Sequence, residues 1–372
     1  MTPTVLAEIT AAGTSLWLDD LDRSRLDPGS GERSLQHLMR TRAVRGVTTN
    51  PTIFDRAVSS GAAAYAQQLL DLADRDLDVD EAIRVVTTDD VRAACDVLLP
   101  IWEDSGGIDG RVSIEVDPRL AHETVGTVRQ AHELWEGVNR PNAMIKIPAT
   151  PAGLPAITQV LAHGISVNVT LIFSVDRYRQ VMAAHEAGLR QALNKGLDVR
   201  TIESVASFFV SRVDTLVDSK LDALGTPEAS ALRGRAAIAN AQLAWSAYLD
   251  HTAGDSWRAI AALGARPQRP LWASTGVKDP SYDPTRYVLD LVAPGCVNTV
   301  PEATLHVVAD QGVFRGDGVS GRHVQAEEVI ARLDDLGIHL NAVCEELEEA
   351  GVRSFVESWE ALRAAVARCM MN

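Results

Sequence analysis

Asn142-Ala-Met-Ile-Lys-Ile-Pro-Ala-Thr150 reads as a buried β-strand that carries one cation, Lys146. Apolar residues run through it almost without interruption, as in a strand covered on both faces. The cation stands out because the chain has only four lysines (Lys146, Lys195, Lys220 and Lys278) against 31 arginines. Arginine keeps its proton under ordinary conditions, whereas burial disfavours the charged form of lysine and can free its amine. A neutral amine attacks carbonyls, so Schiff-base chemistry is the first hypothesis the stretch raises.

Seven further short runs of similar character surround it. With 143–147 they make eight candidate strands: 15–18, 46–48, 111–116, 143–147, 166–170, 204–210, 270–273 and 296–299. Longer helical patterns lie between them, for example 175–193, 228–251 and 282–292. Eight β-then-α units predict an α/β fold, a single (β/α)8 TIM barrel. The rival is an open doubly wound sheet, which usually brings a Gly-rich phosphate loop after its first strand. Here the first strand runs into Asp19-Asp20-Leu21-Asp22-Arg23, with no glycine. Residues 1–372 therefore read as one domain, with the barrel at about 14–312. A helical insert follows the second strand at about 52–108, with patterns at 61–72 and 79–102, and a helical extension closes the chain at 313–372. In that extension Phe355, Trp359, Leu362 and Val366 share one helical face. The face is expected to pack on the barrel wall, with a cap over the barrel mouth as the alternative.

The totals exclude several classes. A net charge of −15 argues against a general nucleic-acid binder, which needs a basic face. No basic run suits an acidic membrane surface, and no apolar run reaches membrane-spanning length. Cys95, Cys296, Cys344 and Cys369 are scattered without CxxC spacing, which fits free thiols in a reducing compartment. The first residues lack the basic and apolar regions of a secretory signal, so a cytoplasmic location is expected. The nine histidines form no HxH or HExxH spacing, which leaves a metal site without support.

In a barrel, residues at the C-terminal ends of strands build the active site. Here those positions hold Asp19 and Asp20, Thr48-Thr49-Asn50-Pro51, Glu115, Lys146, Asn168 with Thr170, Ser207 with Arg212, Ser274-Thr275-Gly276, and Asn298-Thr299. Making and breaking an imine needs several proton transfers, which carboxylates of separated acidity can perform. Thr170 suits a hydroxyl that holds a water. Arg212 suits a phosphate, because its planar fork pairs with oxyanions. Each residue also has a plainer reading. Asp19, Asp20 and Asp22 fit a solvated turn, Thr170 and Ser207 fit satisfied core hydroxyls, and a strand-end lysine can snorkel to water. Their coincidence at one end of successive strands favours the site.

Five segments carry a family resemblance: Thr48-Thr-Asn-Pro-Thr-Ile-Phe54, Ile114-Glu-Val-Asp-Pro118, Met144-Ile-Lys-Ile-Pro-Ala-Thr150, Gly164-Ile-Ser-Val-Asn-Val-Thr-Leu-Ile-Phe-Ser174 and Leu271-Trp-Ala-Ser-Thr-Gly276. In this order, over roughly 14–310, the chain resembles the transaldolase family, and its longer bacterial, actinobacterial-type branch in particular. The resemblance implies a class I aldolase barrel that transfers a dihydroxyacetone unit between sugar phosphates, without a metal or other cofactor. It implies Lys146 as the Schiff-base lysine, Asp19 as acid and base, and Glu115 with Thr170 as handlers of the catalytic water. Asn50 and Asn168 would hold dihydroxyacetone hydroxyls, and Ser207, Arg212 and Ser274 the phosphate and sugar. One position departs from the pattern: a second phosphate-binding arginine often stands two residues after the strand-seven serine, where this chain has Gly276. Lys278 is the nearby substitute. Small sugar phosphates are the expected partners, with no nucleic acid and no membrane, and the assembly is expected to be a monomer or a homodimer. A simple aldolase on the same barrel, a pyridoxal-phosphate aldimine at the lysine and a barrel without catalysis are the alternatives.

Overall fold

In the computed structural model, which describes residues 4–371, eight parallel strands close into a barrel in sequence order. They are β1 (Ser15–Leu18), β2 (Val44–Thr48), β3 (Arg111–Glu115), β4 (Ala143–Pro148), β5 (Val167–Ile172), β6 (Ser204–Phe209), β7 (Arg269–Ala273) and β8 (Val297–Val300). All eight lie where the apolar runs predict them. Every residue of β3 to β8 is buried, because the lumen covers one face and the helical ring the other. β1 closes the ring on β8, with Ser15 opposite Val297. Gly46 in β2 is required by a close approach: a Cβ there would stand 2.6 Å from the indole of Trp17.

The helices 175–193, 61–72 and 79–102 are found as Val175–Asn194, Ala62–Ala73 and Val79–Asp104. Two helical expectations need correction. The pattern at 228–251 is two helices, Pro227–Ser230 and Ala236–Ala253, because Gly234 between them takes a left-handed φ of +65°. The pattern at 282–292 holds only the short helix Arg286–Leu289. Ahead of it Pro284 interrupts the run, and Asp283 folds back to accept hydrogen bonds from the Thr285 amide and hydroxyl.

The segment after β2 divides by role. Val79–Asp104 packs on β2, β3 and the next helix, Thr124–Val138, and so occupies the ring position of a barrel helix. Asp78 and Glu81 close its first turn with a capping box. Pro51–Ser60 and Ala62–Ala73 are the additions, and they pack against the terminal helix Leu340–Met371. The terminal helix also touches Ser211–Leu224, which follows β6. β2 and β6 stand opposite each other in an eight-strand ring, so one helix reaching both crosses the mouth. The apolar face of Phe355, Trp359, Leu362 and Val366 thus turns toward the barrel mouth and the helices around it, and the expected seat on the barrel wall is corrected. Among the described residues, no helix is long and apolar enough to cross a membrane.

Candidate active site

β3, β4 and β5 set three polar side chains side by side in register: Glu115 opposite Lys146, and Lys146 opposite Asn168. Lys146 is 4% exposed. Its Nζ donates to the Thr49 carbonyl at 3.1 Å and stands 3.1 Å from Glu115 Oε2. The second contact is an ion pair whose angle falls short of a hydrogen bond, so Glu115 Oε2 has no hydrogen-bond partner among the described residues. Burial raises the Glu115 carboxyl above its usual range, and the Lys146 charge only partly offsets this. The lysine therefore faces a carboxylate and a carbonyl, not the wholly apolar surroundings that the strand suggests.

Asp19 follows β1 directly, its amide bonded to the Val300 carbonyl at 3.0 Å. Its Oδ1 accepts from Thr48 Oγ1 at 2.8 Å, and Thr48 meets Thr299 Oγ1 at 2.6 Å. Burial raises the pKa of its carboxyl too, against the opposing pull of Lys146 and Thr48. The lumen thus holds two carboxyls, Asp19 and Glu115, that are easier to protonate than in water, beside the Lys146 amine.

Thr170 is fully buried on β5, and its Oγ1 finds no partner among the described residues. A buried hydroxyl of this kind calls for a water or a substrate oxygen. Asn168, two residues earlier on the same face, is committed. Its Nδ2 donates to Ser113 Oγ at 3.0 Å and its Oδ1 accepts from Ser207 Oγ at 2.7 Å. It underpins the lumen, while Ser207 lines the open cavity. Asn50 caps the helix Pro51–Ser60 by accepting from the Ile53 amide at 3.0 Å, which leaves its Nδ2 without a partner in the described residues.

Asp19, Asn50, Lys146, Thr170, Ser207, Arg212, Ser274 and Lys278 share a single cavity of about 290 Å³. Of the residues expected at the site, Glu115 and Asn168 do not line it. Glu115 instead faces a neighbouring cavity, also bordered by Asn50 and Trp359. Arg212, half-buried, makes no hydrogen bond or ion pair in the described residues, and its guanidinium lies 5.4 Å from the Phe209 ring. It belongs to the first turn of Ser211–Leu224, a helix with no side-chain cap at its N-terminus. An uncapped helix start beside an unpaired guanidinium favours an anion. Ser274, held at a left-handed φ of 56°, lies 3.0 Å from Ser211 Oγ, and Lys278 stands exposed beyond it.

A model of the family described as Transaldolase/Fructose-6-phosphate aldolase matches residues 16–366. The chain belongs to the transaldolase/fructose-6-phosphate aldolase family. A protein of Mycobacterium bovis (strain BCG / Pasteur 1173P2) named Transaldolase is 58% identical over 358 residues, 96% of this chain and 95% of its own. Transaldolase 1 of Streptomyces coelicolor is 56% identical over 365 residues, 98% of this chain and 94% of its own. The family match runs through the terminal helix, beyond the segments that carry the resemblance in the sequence.

Arg56 and Phe355 are among the residues lining this transaldolase-family cavity that the sequence does not nominate. Arg56 is anchored to Asp20 at 2.7 Å. Its signal is its place on the helix that Asn50 caps, six residues further on. Phe355 was visible as a buried face but not as a lining residue.

Proposed function

We propose that this chain is a transaldolase. It transfers a dihydroxyacetone unit from sedoheptulose 7-phosphate to glyceraldehyde 3-phosphate, giving erythrose 4-phosphate and fructose 6-phosphate in the non-oxidative pentose phosphate pathway. The observation that carries the reading is the Lys146–Glu115 pair at 3.1 Å, whose lysine lines the cavity that also holds Asp19 and a Thr170 hydroxyl without a partner among the described residues.

The proposed sequence begins when Lys146 gives a proton to Glu115, whose raised pKa suits it to accept. The free amine adds to the ketose carbonyl carbon. Glu115, acting through a water held by Thr170, returns the proton to the departing hydroxyl, and water leaves as the iminium forms. Asp19 takes the proton of the C4 hydroxyl. The C3–C4 bond breaks, its electron pair flows into the iminium, and the aldehyde departs. The resulting enamine holds until an acceptor aldehyde arrives, and the steps then run in reverse. Arg212, the start of its helix, Ser274 and Lys278 would hold the phosphate, while Asn50 and Ser207 face the sugar hydroxyls. Asn168 would act mainly by fixing Ser207. A cytoplasmic location fits the free thiols, three of them buried.

The family description also covers fructose 6-phosphate aldolases, so the test measures product with and without acceptor. Erythrose 4-phosphate formed from sedoheptulose 7-phosphate only when glyceraldehyde 3-phosphate is present supports transfer. Free dihydroxyacetone released at the same rate without an acceptor overturns it in favour of simple cleavage.

A further inference from the structure

The terminal helix reaches the reaction centre through one side chain. Phe355 is 3% exposed, lines the cavity and places its ring 5.7 Å from Lys146 Nζ. Its approach is prepared one turn earlier on the same helical face. There Gly351 lies against Leu171, and a Cβ at Gly351 would stand 2.9 Å from a Leu171 methyl. Leu171 directly follows Thr170 and holds a left-handed φ of 57°, an uncommon conformation for leucine. The helix is tied down on both sides of the contact. Glu346 meets Lys220 at 3.0 Å, Glu348 meets Arg177 at 3.1 Å, Ser358 meets Thr52 at 2.8 Å and Arg363 meets Asp80 at 2.8 Å.

Phe355 has no proton to give, so its contribution must be what it excludes. We propose that Phe355 is a specificity-determining residue: its ring keeps water off the lysine-bound three-carbon intermediate, which then waits for an acceptor aldehyde. The proposal rests on the Schiff-base reading above. Once the C3–C4 bond has broken, the electron pair is shared between C3 and the nitrogen. In transfer, C3 attacks the acceptor carbonyl carbon and the new alkoxide takes the proton from Asp19. In release, C3 takes a proton derived from water and the iminium re-forms. A water then adds to C2, the C2–N bond breaks, and free dihydroxyacetone leaves a lysine amine behind. Hydrolysis of the iminium ends both routes; only release needs a water-derived proton at C3 before an acceptor arrives, and a dry cover over C3 suppresses that step. The polar side of the cavity, with Asp19, Thr170 and Ser207, gives no such cover. Phe355, with Phe209 and Ile53, supplies the apolar side.

The test compares Phe355→Leu with Phe355→Gln in the full-length protein. Both residues are good helix formers and differ mainly in polarity. For each variant, dihydroxyacetone released per transfer is measured, and borohydride with fructose 6-phosphate is used to trap the imine. The Gln variant should raise the release-to-transfer ratio about tenfold while the Lys146 adduct still forms, and the Leu variant should stay near wild type. The adduct also reports that each variant is folded. An unchanged ratio in the Gln variant overturns the proposal. So does an equal rise in both variants, which would mark lost packing rather than lost dryness. No adduct in the wild-type protein fails the Schiff-base reading itself, and this proposal with it.

Discussion

At the N-terminal end of the barrel, Asp109 accepts from Ser15 Oγ at 2.7 Å and meets Arg269 at 3.0 Å and Arg45 at 3.1 Å. At the C-terminal end, Glu115 meets Lys146 at 3.1 Å without a well-aligned hydrogen bond. Both carboxylates are buried, and burial pushes both toward the neutral form. At Asp109 the cations and the serine outweigh burial and the pKa falls below its usual value. At Glu115, and at Asp19 across the lumen, burial wins and it rises. The same pattern holds for arginine. Arg111 at the first end donates to the Gly107 carbonyl at 2.6 Å and to Ser166 Oγ at 3.1 Å, while Arg212 at the other end has no hydrogen bond among the described residues. Charge that closes a barrel is fully partnered; charge that must move a proton or bind an anion is left short of partners.

The sharpest way to break this comparison is to remove one carboxylate from each end. Asp109→Ala leaves Arg269 buried without its counter-ion and should cost about 3–5 kcal/mol in unfolding free energy, read by denaturant titration. A loss under about 1 kcal/mol would mean that this end is no more tightly paired than an exposed surface.

Asp19→Asn should act in the opposite sense, with transfer falling by about 10²- to 10⁴-fold while the fold survives. Because the folded-state pKa of Asp19 is raised, its contribution to stability is complete below the unfolded pKa and is lost as pH rises through the folded one. At neutral pH the ionised side chain is therefore a cost, and the neutral Asn variant should melt about 1–2 °C higher. The same shift places the acid limb of the wild-type rate profile above the ordinary aspartate value of about 3.9. A lower melting temperature for Asp19→Asn would contradict the contrast between the two ends.

Arg212→Ala is the mildest of the three. It should raise the KM for phosphorylated substrates about 10- to 100-fold, with a much smaller change for an unphosphorylated ketose. Equal losses on both substrates would remove Arg212 from the phosphate site.

Much of this contrast is readable from the chain, and the boundary of what is readable has physical causes. The eight strands are legible because burial on both faces makes their runs continuously apolar, and strand ends then nominate Asp19, Glu115, Lys146 and Thr170. What the runs do not reveal is pairing. That Asn168 spends its amide on Ser113 and Ser207, or that Asp109 gathers Ser15, Arg45 and Arg269, depends on contacts between strands far apart in sequence. The helical pattern at 228–251 misleads because its apolar spacing continues past Gly234, whose left-handed backbone ends one helix before the next begins. The terminal helix shows the limit most clearly. Its spacing states that Phe355 is buried but not what it is buried against, and only the closed ring, with β2 opposite β6, sends the helix across the mouth.

The central claim is that Lys146 is the amine that becomes covalently bound to substrate. Incubation of the full-length protein with fructose 6-phosphate and borohydride, followed by peptide mass spectrometry, tests it directly. The account predicts a reduced dihydroxyacetone adduct on Lys146 that is absent from Lys146→Ala. No adduct, or one carried by Lys278, would contradict it.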